Sequence, residues 1–544
     1  MKMAMNRNIP LWGKLLMAVS GVAATALMMQ TEFQYSYFIT LGLSVLVMLI
    51  LTLKTALPKL FLTKGRIWEM LLAAVLTWKT VYPAKSTFFS CIKEWLDFLP
   101  GILMKLLPWG VMVLAIPMVF LAMLWFVHFM SEQAIDFKKK ADYTELFFLA
   151  GAGILLTMML AFSYMCTQAF YGAHVNGGWF NFDLIYSADS GYLVKQDVYR
   201  NIAAEQNDLR QPLFGVFSLP FAHIAGILAS IFTFIPEAYI TILQVMQVFL
   251  LLIALILIAR MLNLQGGEKA LFLVLMTVSY PTLIFVLTAE QYLFAVFYLV
   301  LGIYLSKDTV GGSLCFIGAT GSMLTSGALF PVFTWDKDFK LFVKKTMLLC
   351  LSFFAVTIVT GRLTTILDIP SYIEGYAYYT GADVQPVQKL MQYVNFVGAC
   401  LVAPASYMDT TTYNHASWQM LPVTSWRIFG LVFLVMAVLG VIISRKDRFS
   451  RICCGWMAFS FLLLGLVGWG TIDNGLMLYS LYFGWAFIAM AFRFVKWGLE
   501  KLLPGLPTLR SGLMLCCVIP VSVINVDALR EVLIFATQFY PALR

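Results

Sequence analysis

Residues 144–166 read T-E-L-F-F-L-A-G-A-G-I-L-L-T-M-M-L-A-F-S-Y-M-C, an apolar run with one charge at its edge. About 20 such residues carry a helix across a bilayer, because a rise of about 1.5 Å per residue must cover about 30 Å of hydrocarbon. A polar island follows. Between Cys166 and Pro236 stand five carboxylates, Asp183, Asp189, Asp197, Glu205 and Asp208, with Lys195, Arg200, Arg210, His174 and His223. Oily runs then resume. A chain built this way has few places to do chemistry in water, so the acidic loop beside the membrane is the first place to look for a site.

Composition extends this reading to the whole chain. Of 544 residues, 61% are hydrophobic and 12% charged, against about 25% charged in soluble domains. No stretch is long and polar enough to fold as a separate soluble domain. The net charge of +9 does not mark a nucleic-acid binder, because the cations cluster beside apolar runs. They fall at Lys138–Lys140, at Lys337, Lys340, Lys344 and Lys345, at Arg445, Lys446, Arg448 and Arg451, and at Arg493, Lys496 and Lys501. Such clusters read as cytoplasmic anchors. The nine cysteines form no C-x-x-C pair and read as packing residues rather than a zinc or disulfide framework. Lys2, Arg7 and Lys14 flank the first apolar stretch, which reads as an uncleaved span because others follow at once.

The pattern predicts an all-α fold, a polytopic transmembrane helical bundle of about 12–14 spans. They are expected near 10–30, 38–54, 68–83, 109–130, 144–166, 238–260, 270–289, 291–306, 345–361, 424–444, 452–470, 474–493 and 511–527. Residues 84–108 read as interfacial. Two apolar segments are awkward: Pro220 and His223 interrupt 213–235, and Gly318, Gly321 and Gly327 interrupt 311–334. With the N-terminus inside, a full crossing by 213–235 would put Arg260, Lys269 and Lys307 outside. An interfacial or re-entrant 213–235 keeps all three cytoplasmic and is preferred. Segment 311–334 is expected as a re-entrant hairpin, because Lys337–Lys345 follow it. Two loops then face outward, the acidic one at 167–212 and an aromatic one at 362–423. The chain divides into N-terminal transmembrane helices (1–143), a core with the outer acidic loop (144–361), and the aromatic loop with the C-terminal helices (362–544).

The loop acids carry the candidate chemistry. A carboxylate in reach of an acceptor hydroxyl can take its proton, and can also hold a divalent cation, Mg or Mn, against a phosphate leaving group. Asp189 is the first choice for both roles, since Ala188, Ser190 and Gly191 beside it leave room for a substrate. Glu290, in P-T-L-I-F-V-L-T-A-E-Q-Y at 281–292, is the second catalytic candidate. It sits between two apolar runs, where an ionisable group is costly unless it faces a cavity or a partner. Arg210 offers bidentate contacts to phosphate, or is an interfacial anchor paired with Asp208. Asp208, Asp197 and His223 join it as candidate substrate ligands, although a histidine on an apolar segment, as His223 is, is more often a satisfied interfacial histidine than a catalyst. Tyr372, Tyr376, Tyr378 and Tyr379 can stack on sugar faces, with Tyr376 and Tyr379 the chosen pair, although tyrosine also collects at interfaces for ordinary reasons. Asp473 and Tyr479 mark an outer turn near the same place. The D-x-D of W-D-K-D at 335–338 reads as a solvated turn beside lysines.

Three stretches give a resemblance: S-A-D-S-G-Y at 187–192 after a span, N-D-L-R-Q-P-L-F-G at 207–215, and P-T-L-I-F-V-L-T-A-E-Q-Y at 281–292. Together they resemble the polytopic glycosyltransferases of the GT-C superfamily over about residues 144–310. In that family R-H-P-L-F is the commoner form of the second stretch, with histidine where Gln211 stands here. Four or five spans precede the loop where the family usually has one, which suits an added N-terminal bundle. The resemblance implies transfer of a sugar from a polyprenyl-phosphate-linked donor to a glycan, lipid or protein acceptor on the outer face of a bacterial plasma membrane. It gives Asp189 the role of base or metal ligand and makes Glu290 a second outer acid. A transporter or flippase of a lipid-linked saccharide, or a surface-polysaccharide polymerase or ligase, is the alternative. Span interiors nearly free of charge, with acids gathered at one face, favour outer-face chemistry over a transmembrane pathway.

Overall fold

The fold comes from a computed structural model, which describes residues 10–29, 35–54, 66–93, 100–175, 178–180, 184–202, 204, 208–306, 308–367, 375–410, 415–421, 425–471 and 475–542. In chain order the elements are α1 (Leu11–Met29), α2 (Tyr35–Lys54), α3 (Ile67–Lys93), α4 (Gly101–Lys140) and α5 (Tyr143–Cys166), then the hairpin β1 (Ala173–Val175) and β2 (Gly178–Phe180). There follow α6 (Ser190–Lys195), α7 (Phe214–Ile231), α8 (Ala238–Met261), α9 (Gly266–Val278), α10 (Tyr280–Leu287), α11 (Tyr292–Leu305), α12 (Val310–Ser322), α13 (Phe330–Thr334), α14 (Phe339–Val359) and α15 (Leu363–Leu367). The last are α16 (Pro386–Ala399), the hairpin β3 (Ser406–Asp409) and β4 (Ser417–Met420), α17 (Ile428–Ile443), α18 (Arg448–Ser460), α19 (Ser480–Leu502) and α20 (Pro507–Phe539).

The protein is an all-α polytopic bundle. Among the described residues ten helical stretches are long and apolar enough to cross a membrane, eleven if the pair α9–α10, bent by 55°, counts as one. Expected spans 291–306 and 424–444 form shorter helices, α11 with 14 residues and α17 with 16. Residues 84–108 do not form a helix of their own: 84–93 continue α3 past Pro83, and 101–108 open the 40-residue α4. Segment 213–235 holds one continuous helix, α7, with Pro220 inside it. Segment 311–334 is broken at Met323, between α12 and a 3-10 turn over Leu324–Leu329.

The chain forms two compact units that cut across the three segments read from the sequence. Unit 1 contains residues 1–141, 198–224 and 347–370. Its core joins Leu27 of α1, Leu76 of α3 and Val119, Met123 and Leu124 of α4 to Ile202 and Leu219. Pro117 interrupts the α4 ladder, and the next amide, Met118 N, donates to Ser20 Oγ of α1 at 3.0 Å, so the freed donor stays satisfied.

Unit 2 contains residues 142–197, 225–346 and 371–544. Helix α11 and the first half of α19 are buried on every side and apolar all round, which places them at its centre. The helix ends of one side are held by ion pairs. Glu145, at the start of α5, accepts from Arg260 at the end of α8 (2.6 Å) and from Lys269 at the start of α9 (2.8 Å). Glu268 pairs with Lys496 of α19, Asp447 with Arg493, and Arg448 donates to Ile303 O near the end of α11. These contacts form a basic rim. At the other end of the same helices Gln244 of α8 donates to Tyr164 Oη of α5 at 3.3 Å. Helices α5 and α8 therefore run antiparallel with both pairs of ends in register, so the chain leaves α5 and re-enters α8 on one side.

Close helix approach depends on small residues, as membrane packing favours. A Cβ on Gly440 of α17 would overlap the carbonyl oxygen of Met490 in α19, and one on Gly430 would overlap that of Val394 in α16.

Candidate functional site

The candidate site lies in unit 2, at the ends of α5 and α8 away from the basic rim. Its first wall is the start of the acidic loop. Thr167 Oγ1 donates to Tyr540 O at 2.6 Å, Gln168 N to the same carbonyl at 3.0 Å, and Thr167 bridges Pro541. The loop is thus anchored to the end of α20 as it leaves α5. Ala289 N then donates to Phe170 O at 3.2 Å, which sets the loop against the break between α10 and α11.

Tyr186 docks the rest of the loop. Its backbone N donates to Trp418 O and Trp418 N donates to Leu184 O, both at 2.8 Å, so residues 184–186 pair alongside β4. Its hydroxyl bonds Tyr280 Oη at 2.6 Å and Ser406 Oγ at 2.8 Å, and accepts from Trp418 Nε1 at 3.2 Å. Burial raises the pKa of Tyr186 and outweighs these hydrogen bonds, so the hydroxyl stays protonated. Tyr186 (φ 53°) and Ser187 (φ 58°) are left-handed, which costs about 1–3 kcal/mol each for side chains of this kind. Ser187 Oγ donates to Gln419 Oε1 of β4 at 3.2 Å. The strained turn delivers Asp189 to the N-cap position of α6, half-buried, with its side chain making no capping bond.

The second wall is the break itself, residues 288–291. Gln244 Nε2 donates to Leu287 O at 3.3 Å and Gln247 Nε2 to Glu290 O at 3.0 Å, so two amides from α8 satisfy carbonyls that the broken helix leaves open. Glu290 is wholly buried, at 0% exposure. Between the two walls is a crevice too tight for a water molecule, lined by Ala169, Gly172, Leu184, Ile185, Ala188, Ser190, Gly191 and Thr288. A sugar reaches it only if the loop opens. Asp189 and Glu290 flank this lining without being part of it. The buried Ser190 Oγ has no hydrogen-bond partner among the described residues. Burial, then the charge of Glu237, pushes the neighbouring Tyr171 hydroxyl up to about 12.

An aromatic series approaches from the second loop. The rings of Tyr376 and Tyr379 each lie 5.7 Å from Trp469, Trp469 Nε1 donates to Tyr479 Oη at 2.7 Å, and Tyr479 meets Tyr292 edge-on at 6.2 Å. Tyr292 is two residues past Glu290. Asp189, Glu290, Tyr376, Tyr379 and Tyr479 all belong to unit 2.

The remaining candidates are engaged elsewhere. Asp197 accepts from Tyr239 Oη at 3.0 Å. Asp208 and Arg210 belong to unit 1 and pair with each other at 3.0 Å. His223, also in unit 1, is buried and hydrogen-bonded to Thr80 Oγ1 at 3.1 Å. Asp336 of the W-D-K-D turn pairs with Lys345 at 3.1 Å. Asp183, Glu205, Tyr372 and Asp473 lie outside the described residues. Among the described residues no three His, Cys, Asp or Glu side chains gather to hold a metal ion.

Sequence reasoning missed Tyr186, Trp418, Gln419 and Trp469, whose importance depends on pairing between distant loops. It also missed Gln244 and Gln247. They did leave a signal, two amides three residues apart in an otherwise apolar helix, where polar groups are costly and usually serve a purpose.

These observations define a multi-pass α-helical membrane protein with a basic rim on one side and an acidic, aromatic site on the other. A scan against protein-family models, a search of the curated proteins and a search of the solved structures all return no match.

Proposed function

We propose that the protein is a membrane glycosyltransferase of a bacterial plasma membrane. It moves a sugar from a polyprenyl-phosphate-linked donor to a glycan, lipid or protein acceptor at the end of unit 2 opposite the basic rim. One observation carries this reading: residues on both sides of Asp189 share a crevice with the helix break that holds Glu290, and a buried, unsatisfied Ser190 hydroxyl faces it. Asp189 takes the proton of the acceptor hydroxyl as that oxygen bonds to the anomeric carbon. The bond from that carbon to the donor phosphate oxygen breaks, and polyprenyl phosphate leaves with the electron pair. Tyr376 and Tyr379 stack on the sugar. Glu290, closed off from solvent, acts as a positioning residue for the break. The Asp208–Arg210 pair is not needed for this chemistry.

The bent pair α9–α10 and the buried Glu290 also suit a flippase of the same lipid-linked saccharide, since broken helices mark many transport sites. Detergent-solubilised protein separates the two, because group transfer needs no sealed membrane and flipping does. The test is transfer of labelled sugar from polyprenyl-phosphate donors in detergent. Wild type is expected to turn over and Asp189→Asn to lose about 100-fold or more. Turnover by folded Asp189→Asn at the wild-type rate would remove Asp189 from the mechanism. Flipping in vesicles with no transfer in detergent would replace the enzyme by the flippase.

A further inference from the structure

Beside the basic rim of unit 2 runs a groove of ≈ 890 Å³, counting its open mouth, between the turn after α13 and the start of α18. Its walls are Pro331, Val332, Phe333, Trp335 and Phe342, and its charged residues are Arg448 and Arg451. Among the described residues no carboxylate lines it. Among the described residues neither arginine makes an ion pair. Arg448 donates one bond through Nη1, to Ile303 O at 3.2 Å, and its guanidinium lies 5.6 Å from the Phe333 ring. Its other terminal nitrogen, Nη2, is buried with no hydrogen-bond partner among the described residues. Trp335 is half exposed, at 54%, so the aromatic wall opens outward.

Solvated cations at a membrane surface are ordinary, and Lys337, Lys340 and Lys344 nearby are of that kind. Arg448 differs. A buried guanidinium nitrogen without an acceptor is costly, and a second positive charge in the same groove adds repulsion. An anion between the two relieves both. Guanidinium forks match phosphate oxygens, and the groove's apolar and aromatic walls suit the chains attached to a phosphodiester. We propose that this groove binds the headgroup phosphate of an anionic membrane phospholipid, with Arg448 and Arg451 on the phosphate and Phe333, Trp335 and Phe342 along the first part of the acyl chains. The site does not depend on the transferase reading.

Native mass spectrometry and thermal unfolding of the detergent-solubilised full chain, titrated with phosphatidylglycerol, test it. Wild type is expected to hold a discrete lipid and to unfold at higher temperature as lipid is added. Arg448→Gln/Arg451→Gln loses that lipid and that shift, while Lys340→Gln/Lys344→Gln, which removes the same charge from the same side, keeps both. The single variant Arg451→Gln, at an exposed position, serves if the double variant does not fold, and should weaken binding about tenfold. Equal loss in the lysine variant would reduce the effect to bulk charge and overturn the site. Retained binding in the arginine variants would overturn it as well. A matching shift from inorganic phosphate alone, with none from phosphatidylglycerol, would make it a site for a free anion rather than a lipid.

Discussion

Replacing Tyr186 by phenylalanine should undock the acidic loop without unfolding unit 2. The substitution keeps the buried ring and removes an oxygen that makes three hydrogen bonds, to Tyr280, Ser406 and Trp418. Two of those partners are hydroxyls that can turn elsewhere. The third, Trp418 Nε1, cannot, and a buried donor left unmatched costs about 1–3 kcal/mol. With about 1 kcal/mol net for each of the other bonds, the docked loop loses at least about 3 kcal/mol. Undocking also releases the left-handed strain at Tyr186 and Ser187, so the backbone works in the same direction. At about 1.4 kcal/mol per decade, 3 kcal/mol raises the open fraction by roughly 100-fold. Amide hydrogen exchange read by mass spectrometry should show that acceleration in residues 184–191 and 417–420, with α11 and the first half of α19 unchanged. Exchange at wild-type rates in the loop would refute the docking role. Acceleration spread evenly over unit 2 would show the hydroxyl to be a general core contact.

Three further outcomes follow from unit 2. Asn525, fully buried in α20, donates to Val278 O and Leu401 O and accepts from Ala403 N; Asn525→Leu strands all three and should cost about 3 kcal/mol, seen as a lower unfolding temperature in detergent. Gly440→Ala forces α17 away from Met490 of α19 and should cost about 1–3 kcal/mol in the same assay, whereas Gly512→Ala, with open space around it, should not. Burial raises the pKa of Asp142, but hydrogen bonds from Lys269 and the Glu145 amide and the charges of Lys269 and Arg260 outweigh it and hold the carboxyl below its ordinary 3.8. A depressed folded-state value means a contribution present in full above 3.8 and lost as pH falls through the lower value. The gap in unfolding temperature between wild type and Asp142→Asn should therefore be constant near neutrality and close in acid; a gap that widened in acid would reverse the assignment.

The bundle was legible because bilayer thickness imposes a length on apolar runs, and 144–166, 238–260 and 511–527 all emerged as helices. Legibility failed where a helix is buried by protein instead of lipid. Helix α11 needs no spanning length, since its neighbours in unit 2 cover it on every side. Residues 84–108 misled for a related reason: Lys93, which with Trp95 suggested an interfacial helix, is the last residue of the long helix α3. In the site, Asp189 and Glu290 could be picked out because acids are rare in this chain. The residues that hold them could not, because Tyr186 and Trp418 look like ordinary aromatic loop residues until residues 184–186 pair with β4. The partner of His223, Thr80 Oγ1, lies 143 positions away and could not be read from the sequence.

Helix α11 separates the two proposed sites. Glu290 precedes its first residue, and Ile303, the acceptor for Arg448, lies near its last. Fourteen helical residues span about 21 Å at about 1.5 Å each, and every residue from Tyr292 to Ile303 is buried. A phosphate on Arg448 and a sugar beside Asp189 therefore cannot be parts of one bound molecule in a single small pocket. The lipid site and the transfer site should respond independently. Arg451→Gln should leave the transfer rate unchanged when phosphatidylglycerol is absent, and Asp189→Asn should leave lipid retention unchanged. If Asp189→Asn alone stripped the lipid from the basic rim, energetic coupling along α11 would be required, and the two ends would have to be treated as a single device.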